Sequence, residues 1–178
     1  MTSSRKKVIV RRFTGETLAG YLPATGMVRG QTTLELLDLA GRVVPLALEE
    51  VKMVSYVREF NLTDTVNPER LTRRTFLARP RNEGLWVRLT LRSGELLEGL
   101  AAAGISLLEA IADDAGLHMT PPDTRSNTQH LYIPRAAITE MQVLAVITTP
   151  SRTKPVKPER SLQEELFDTP LPPNARPN

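Results

Sequence analysis

Cysteine is absent from this chain, which removes disulfides, thiolate metal sites and a cysteine nucleophile in one stroke. Aromatic residues make up only 4% of the 178 positions, from one Trp, three Tyr and four Phe. That scarcity argues against the stacked platforms that proteins offer to single-stranded bases. Histidine occurs twice, as His118 and His130, too few for a histidine-built metal centre without help from acids. No apolar run reaches the length of a membrane span, and Val8-Ile9-Val10 is interrupted by Arg11-Arg12 before a secretory core could form. A soluble, cytoplasmic protein is the expectation. Gly-x-x-x-x-Gly-Lys, Gly-x-Ser-x-Gly and His-Glu-x-x-His are all missing. Glu16 and Glu95 fall in turns, where nothing tunes a carboxyl for proton transfer. The expected function is therefore non-enzymatic, with no cofactor and no metal.

What is present is a repeat. Gly15-Glu16-Thr17-Leu18-Ala19-Gly20 returns as Gly94-Glu95-Leu96-Leu97-Glu98-Gly99, each time between two apolar runs. The pattern reads strand, tight turn, strand, and self-similarity of this kind describes architecture before chemistry. A first β module spans about 7–60 and a second about 84–147. Leu85, Val87, Leu89 and Leu91 alternate with Trp86, Arg88, Thr90 and Arg92 at the period of a strand. Matching Val44-Pro45 to Ile133-Pro134 places a net insertion of ten residues in the second module. Pro45 cannot donate to a ladder and belongs at an edge or a strand end.

Between the modules, at 61–83, Asn67-Pro68-Glu69-Arg70 has the chemistry of a helix start, and the spacing predicts a basic helix through Ala78 that stops at Arg79-Pro80. Seven of the fourteen prolines fall in the last 29 residues, so the segment 148–178 reads as a disordered tail.

Val87-Arg88-Leu89-Thr90-Leu91-Arg92-Ser93-Gly94-Glu95-Leu96-Leu97-Glu98-Gly99, followed by Ile133-Pro134-Arg135-Ala136-Ala137-Ile138-Thr139, resembles the two halves of the Sm motif of the Hfq-type small β-barrels. The chain as a whole is similar to uncharacterised bacterial two-barrel proteins. This resemblance implies a mainly β chain: two tandem Sm/SH3-like barrels joined by a short helix. It does not bring uridine binding with it. The closing-turn Tyr-Lys-His stretch of that family is replaced by Pro134-Arg135-Ala136, so that only Arg135 keeps a cationic donor.

Several sites compete for a function. Arg70, Arg73, Arg74, Arg79, Arg81 and Arg88 outnumber Glu69 and Glu83, and Arg70, Arg73 and Arg74 would share one helix face. Guanidinium forks suit phosphate, so these residues, with Arg81, Arg125 and Arg135, are candidates for binding RNA or another nucleic acid; arginines pairing with barrel acids is the structural alternative. Arg70-x-x-x-Arg74 also fits the first half of the PilZ cyclic-dinucleotide signature, whose second half is missing. The loop Pro121 to Gln129 carries six consecutive polar side chains, as a specificity loop or a solvated one. His118 and His130 flank it, and with Asp123 they would begin a metal set; two ordinary surface histidines is the plainer reading. Gln163, Leu166 and Phe167 match a sliding-clamp peptide, Gln-x-x-Leu-Phe. Open barrel edges give the remaining function, a protein-interaction module that self-associates by pairing strands.

Overall fold

The computed structural model describes residues 5–23, 31–60, 73–103, 116–123 and 126–148. They are mainly β. The N-terminal half contributes β1 (Arg5–Arg12), β2 (Thr17–Pro23), β3 (Thr33–Asp38), β4 (Val43–Ala47) and β5 (Val51–Val57). The C-terminal half contributes β6 (Gly84–Leu91), β7 (Leu96–Ala101), β8 (Leu117–Thr120), β9 (Thr128–Ile133) and β10 (Ile138–Ile147). A single 3₁₀ turn, Arg135–Ala137, precedes β10. The ten strands form one open antiparallel sheet in the order β10-β6-β7-β8-β9-β5-β1-β2-β3-β4.

The repeat in the sequence is a repeat of hydrogen bonds. In the first hairpin the Gly15 N–H donates to Arg12 O at 3.1 Å and the Arg12 N–H to Glu16 O at 2.9 Å. In the second, Gly94 donates to Leu91 O and Leu91 to Glu95 O, both at 2.8 Å. The leading glycines sit at φ 89° and 81°, where a side chain is strained. The trailing glycines are needed for space. A Cβ on Gly20 would lie 2.4 Å from Leu37 O, and one on Gly99 2.4 Å from Met119 Sδ.

Register corrects the expected insertion. Both halves carry a bulge that skips one residue of the closing strand. Arg11 and Arg12 face Met53 and Val51, while Thr90 and Leu91 face Glu140 and Ile138. Val51 therefore takes the place of Ile138, and the β3–β4 and β8–β9 registers likewise put Val44 in the place of Leu131, each 87 positions apart. The repeated turns are 79 apart, so the net insertion is eight residues (87 less 79) and Val44-Pro45 is not the counterpart of Ile133-Pro134. A β-branched residue before proline is a weak marker of register; paired strands are a strong one.

The halves share their cores. Successive residues of a strand face opposite sides of the sheet. On β5, Val54 and Tyr56 join Val8, Val10, Leu22, Leu34 and Leu36, whereas Met53 joins Val87, Leu89, Leu91, Leu97 and Leu131. On the neighbouring β9, Tyr132 serves the first cluster and Leu131 and Ile133 the second. One core thus lies on each face, and all seven residues of β5 are buried. Arg92, over the Phe13 ring at 4.3 Å and donating to Glu49 O at 2.8 Å, adds a second seam between the halves.

Residues 73–80 are not helical. They run as bends, and Asn67 to Thr72 lie outside the described residues. The cause is a competing partner. The Phe76 N–H donates to Glu98 Oε2 at 3.0 Å, and Arg74 O accepts from the Glu98 N–H at 2.6 Å. Backbone groups that a helix would use internally are taken by β7. Among the described residues no helix is long and apolar enough to cross a membrane.

Candidate functional site

Glu98 organises the segment that the sequence offers as a basic binding helix. It is 2% exposed and accepts from the Phe76 N–H, from Trp86 Nε1 at 3.2 Å, and from Arg88 Nε and Nη2 at 3.0 and 2.7 Å. Burial pushes its pKa up, but the Phe76 N–H, the Arg88 guanidinium and the Trp86 indole more than offset that, and it lies below the usual glutamate value. Phe76 meets Trp86 edge to face at 5.7 Å, closing the strap over β6 and β7.

Among the described residues, Arg73 and Arg74 consequently do not share a helix face. Arg74 Nη1 pairs with Glu95 Oε2 at 3.0 Å, and Lys52, buried in the β5 bulge, reaches Glu95 Oε1 at 2.6 Å. Burial raises the Glu95 pKa, and Lys52, Arg74 and Arg11 together bring it below the usual value. Arg73 and Arg74 do converge, with Arg11, on one recess at the meeting of the two halves. Its floor is Met53, Leu97 and Leu131, and its volume is about 30 Å³. That is room for one or two waters, not for a base. Arg81 is exposed on the bend before β6. Arg135 lies at the 3₁₀ turn and donates to Ile138 O at 2.9 Å. Arg70, Arg125, Gln163, Leu166 and Phe167 lie outside the described residues.

His118 goes to aromatic contacts. His118 stands opposite Tyr132 and His130 opposite Tyr56. The His118 ring is 4.7 Å from Tyr132 and 6.4 Å from Tyr56. Burial, then His130 and Lys6, lower its pKa. Burial, with Tyr56 adding to it, raises the Tyr132 pKa to about 12. No group of three potential metal ligands occurs among the described residues.

The sheet edges present a different kind of site. In an antiparallel sheet each residue directs both backbone groups to the same neighbour, and the direction alternates along the strand. The Asp38 N–H donates to Arg42 O and the Leu48 N–H to Thr32 O, which turns Val44 and Leu46 toward β3 and leaves Val43, Pro45 and Ala47 facing outward. Pro45 has no N–H, so the β4 edge is blunted where a donor would stand. On the other side, the Leu91 N–H bond to Glu95 O sets Leu89 and Val87 toward β7 and Thr90 and Arg88 toward β10. Their partners Glu140 and Gln142 bond inward, and Met141 and Val143 direct N–H and C=O to the open edge.

The same two residues expose apolar side chains, Met141 by 39% and Val143 by 53%, with Val146 beside them at 56%. Their counterparts in the N-terminal half, Val54 and Tyr56, are 0% and 7% exposed because β9 pairs with that edge and lays Tyr132 against them. Position and chemistry are repeated; among the described residues, the cover is not.

Sequence reasoning passed over both features. Glu98 had a signal, an acid inside the repeated motif where the first half has Ala19. The bare edge had a fainter one: β10 carries a single charged residue, Glu140, in ten positions.

A family described as "Family of unknown function (DUF6982)" matches residues 4–145. Comparison with the curated proteins and with the solved structures gave no match.

Proposed function

We propose, from the geometry, that this chain, which belongs to the DUF6982 family of unknown function, is a non-enzymatic interaction module. In this reading two Sm/SH3-like small barrels are fused through the β9–β5 pairing, and the β10 edge accepts a strand from a protein partner. The observation that carries it is the contrast between Met141 and Val143, exposed on an open edge, and Val54 and Tyr56, buried under β9 at the equivalent place. Strand addition of this type draws affinity from main-chain hydrogen bonds and selectivity from alternate side chains.

The internal junction supplies the probe. A fluorescent peptide of residues 126–134, the β9 segment that covers β5, should bind saturably to the intact protein by anisotropy. Met141→Lys with Val143→Lys should abolish that binding. Absence of saturable binding at millimolar peptide, to a chain that sedimentation shows to be monomeric, refutes strand acceptance at β10.

A second reading has one observation in its favour, the convergence of Arg11, Arg73 and Arg74 on a single recess. It makes the strap a contact for the phosphates of RNA or another nucleic acid. Glu95 already engages Arg74, so the affinity should be modest and fall steeply with salt. Filter retention of mixed RNA at low salt tests it, and no retention excludes it.

A further inference from the structure

We infer that the strand accepted by β10 is β10 of another molecule of this chain, in a two-fold antiparallel pairing. This rests on the strand-acceptor reading above and goes further by naming the occupant.

Three strands of a second molecule compete for the edge. β9 is already used, buried between β8 and β5. β4 is the repeat counterpart of β9, and docking it in the β9–β5 register would set Val43 against Val143 and Pro45 against Met141. The internal junction places Tyr132 opposite Val54, and Pro45 stands in the place of Tyr132, so the donor at that position is missing. A continued head-to-tail sheet therefore loses one of four ladder hydrogen bonds in its central two pairs.

β10 against itself loses none. With Gln142 on the two-fold axis, Met141 faces Val143 of the other molecule and Val143 faces its Met141. Both residues direct N–H and C=O outward, so these two pairs close four hydrogen bonds. Their side chains lie on one face, and the pairing covers the two exposed apolar groups with each other. The register bulges at Ile138/Glu140 and Val143/Ala145 fall just outside the central three residues, leaving them regular. Glu140, the one charge on the strand, faces Leu144 of the other molecule, with its symmetry mate four residues further along that strand. Isologous pairing also closes, satisfying both β10 edges at once and, among the described strands, leaving the proline-blunted β4 edges exposed.

The test exploits the absence of cysteine. Gln142 is exposed and pairs with itself across the axis at a non-hydrogen-bonded position, where Cα atoms stand roughly 4.5 Å apart, within disulfide reach. Gln142→Cys, as the full chain with its only thiol, should oxidise to a covalent dimer in most molecules at micromolar concentration. Gln129→Cys on β9, also exposed, should remain largely uncrosslinked. The unmodified chain should sediment as a concentration-dependent dimer, and Val143→Lys should raise the dimer dissociation constant at least tenfold, with Trp86 fluorescence confirming the fold.

A chain that stays monomeric at about 100 µM and gives no Gln142→Cys dimer overturns the inference. So does equal cross-linking of Gln129→Cys. Ladders formed only when Val44→Cys and Gln142→Cys are combined point to head-to-tail pairing and overturn it as well. If the 126–134 peptide still binds a monomeric chain, the second-molecule assignment fails while strand acceptance stands; if neither occurs, both fail.

Discussion

Met53→Ala is the sharpest test of how this chain is built. Met53 belongs to β5, in the N-terminal half, yet its side chain is 9% exposed and packs with Val87, Leu89, Leu97 and Leu131 of the C-terminal half. Truncation removes three heavy atoms from a core that β7 and β9 hold in place, so the site collapses only partly. Buried methionine-to-alanine changes cost about 2–5 kcal/mol, and about 3 kcal/mol suits a site open on one side to a small recess. For a protein of this length that lowers the melting temperature by about 6–12 °C. Trp86, the only tryptophan, sits on β6 of the other half and reports the C-terminal core directly. Denaturation followed by Trp86 fluorescence and by far-ultraviolet circular dichroism should give one coincident transition, displaced equally in both signals by Met53→Ala. Two separable transitions, or a Trp86 transition that Met53→Ala leaves in place, would show that the halves fold independently and that the shared strand is wrong.

Two further outcomes follow from the packing. Gly20→Ala should destabilise more than Gly99→Ala, since the added methyl meets the backbone oxygen of Leu37 in one case and the movable end of Met119 in the other; urea midpoints in the reverse order refute that account of the trailing glycines. Glu98→Gln should cost about 1–3 kcal/mol at neutral pH by weakening four donors' shared acceptor. The sign with pH is fixed by a lowered folded pKa: the carboxylate stabilises fully above the unfolded glutamate value, about 4.3, and that stability is lost as pH falls through the folded value. The stability curves of wild type and Glu98→Gln should converge in acid, and parallel curves from pH 7 to pH 3 would rule out this role.

Local chemistry was legible where it repeats locally. Gly15 and Gly94 mark hairpins because a turn at positive φ demands glycine within four residues of chain. The alternation from Leu85 to Leu91 gave β6 with its buried face. The strap at 73–80 was misjudged for the opposite reason. Capping residues favour a helix start by about 0.5–2 kcal/mol, but a buried carboxylate 22 residues away takes the Phe76 N–H that a helix would bond internally. With 73–80 not helical, Arg73 and Arg74 do not share a helix face, and Arg74 turns to Glu95.

By itself the sequence determined a duplicated, cysteine-free β chain, its turns and most of its strands, because hairpins and alternation depend on neighbours along the chain. Only the tertiary structure decided that the two units meet in a strand pair, β9 with β5, so that β5 feeds a core on each of its faces. It also decided which repeated positions remain bare. Val54 and Met141 are equivalent in the repeat and similar in chemistry. One is buried and the other exposed because a strand some 78 residues further along the chain pairs with the first (Tyr132 with Val54) and none among the described strands pairs with the second. Long-range pairing of that kind leaves no periodicity to read.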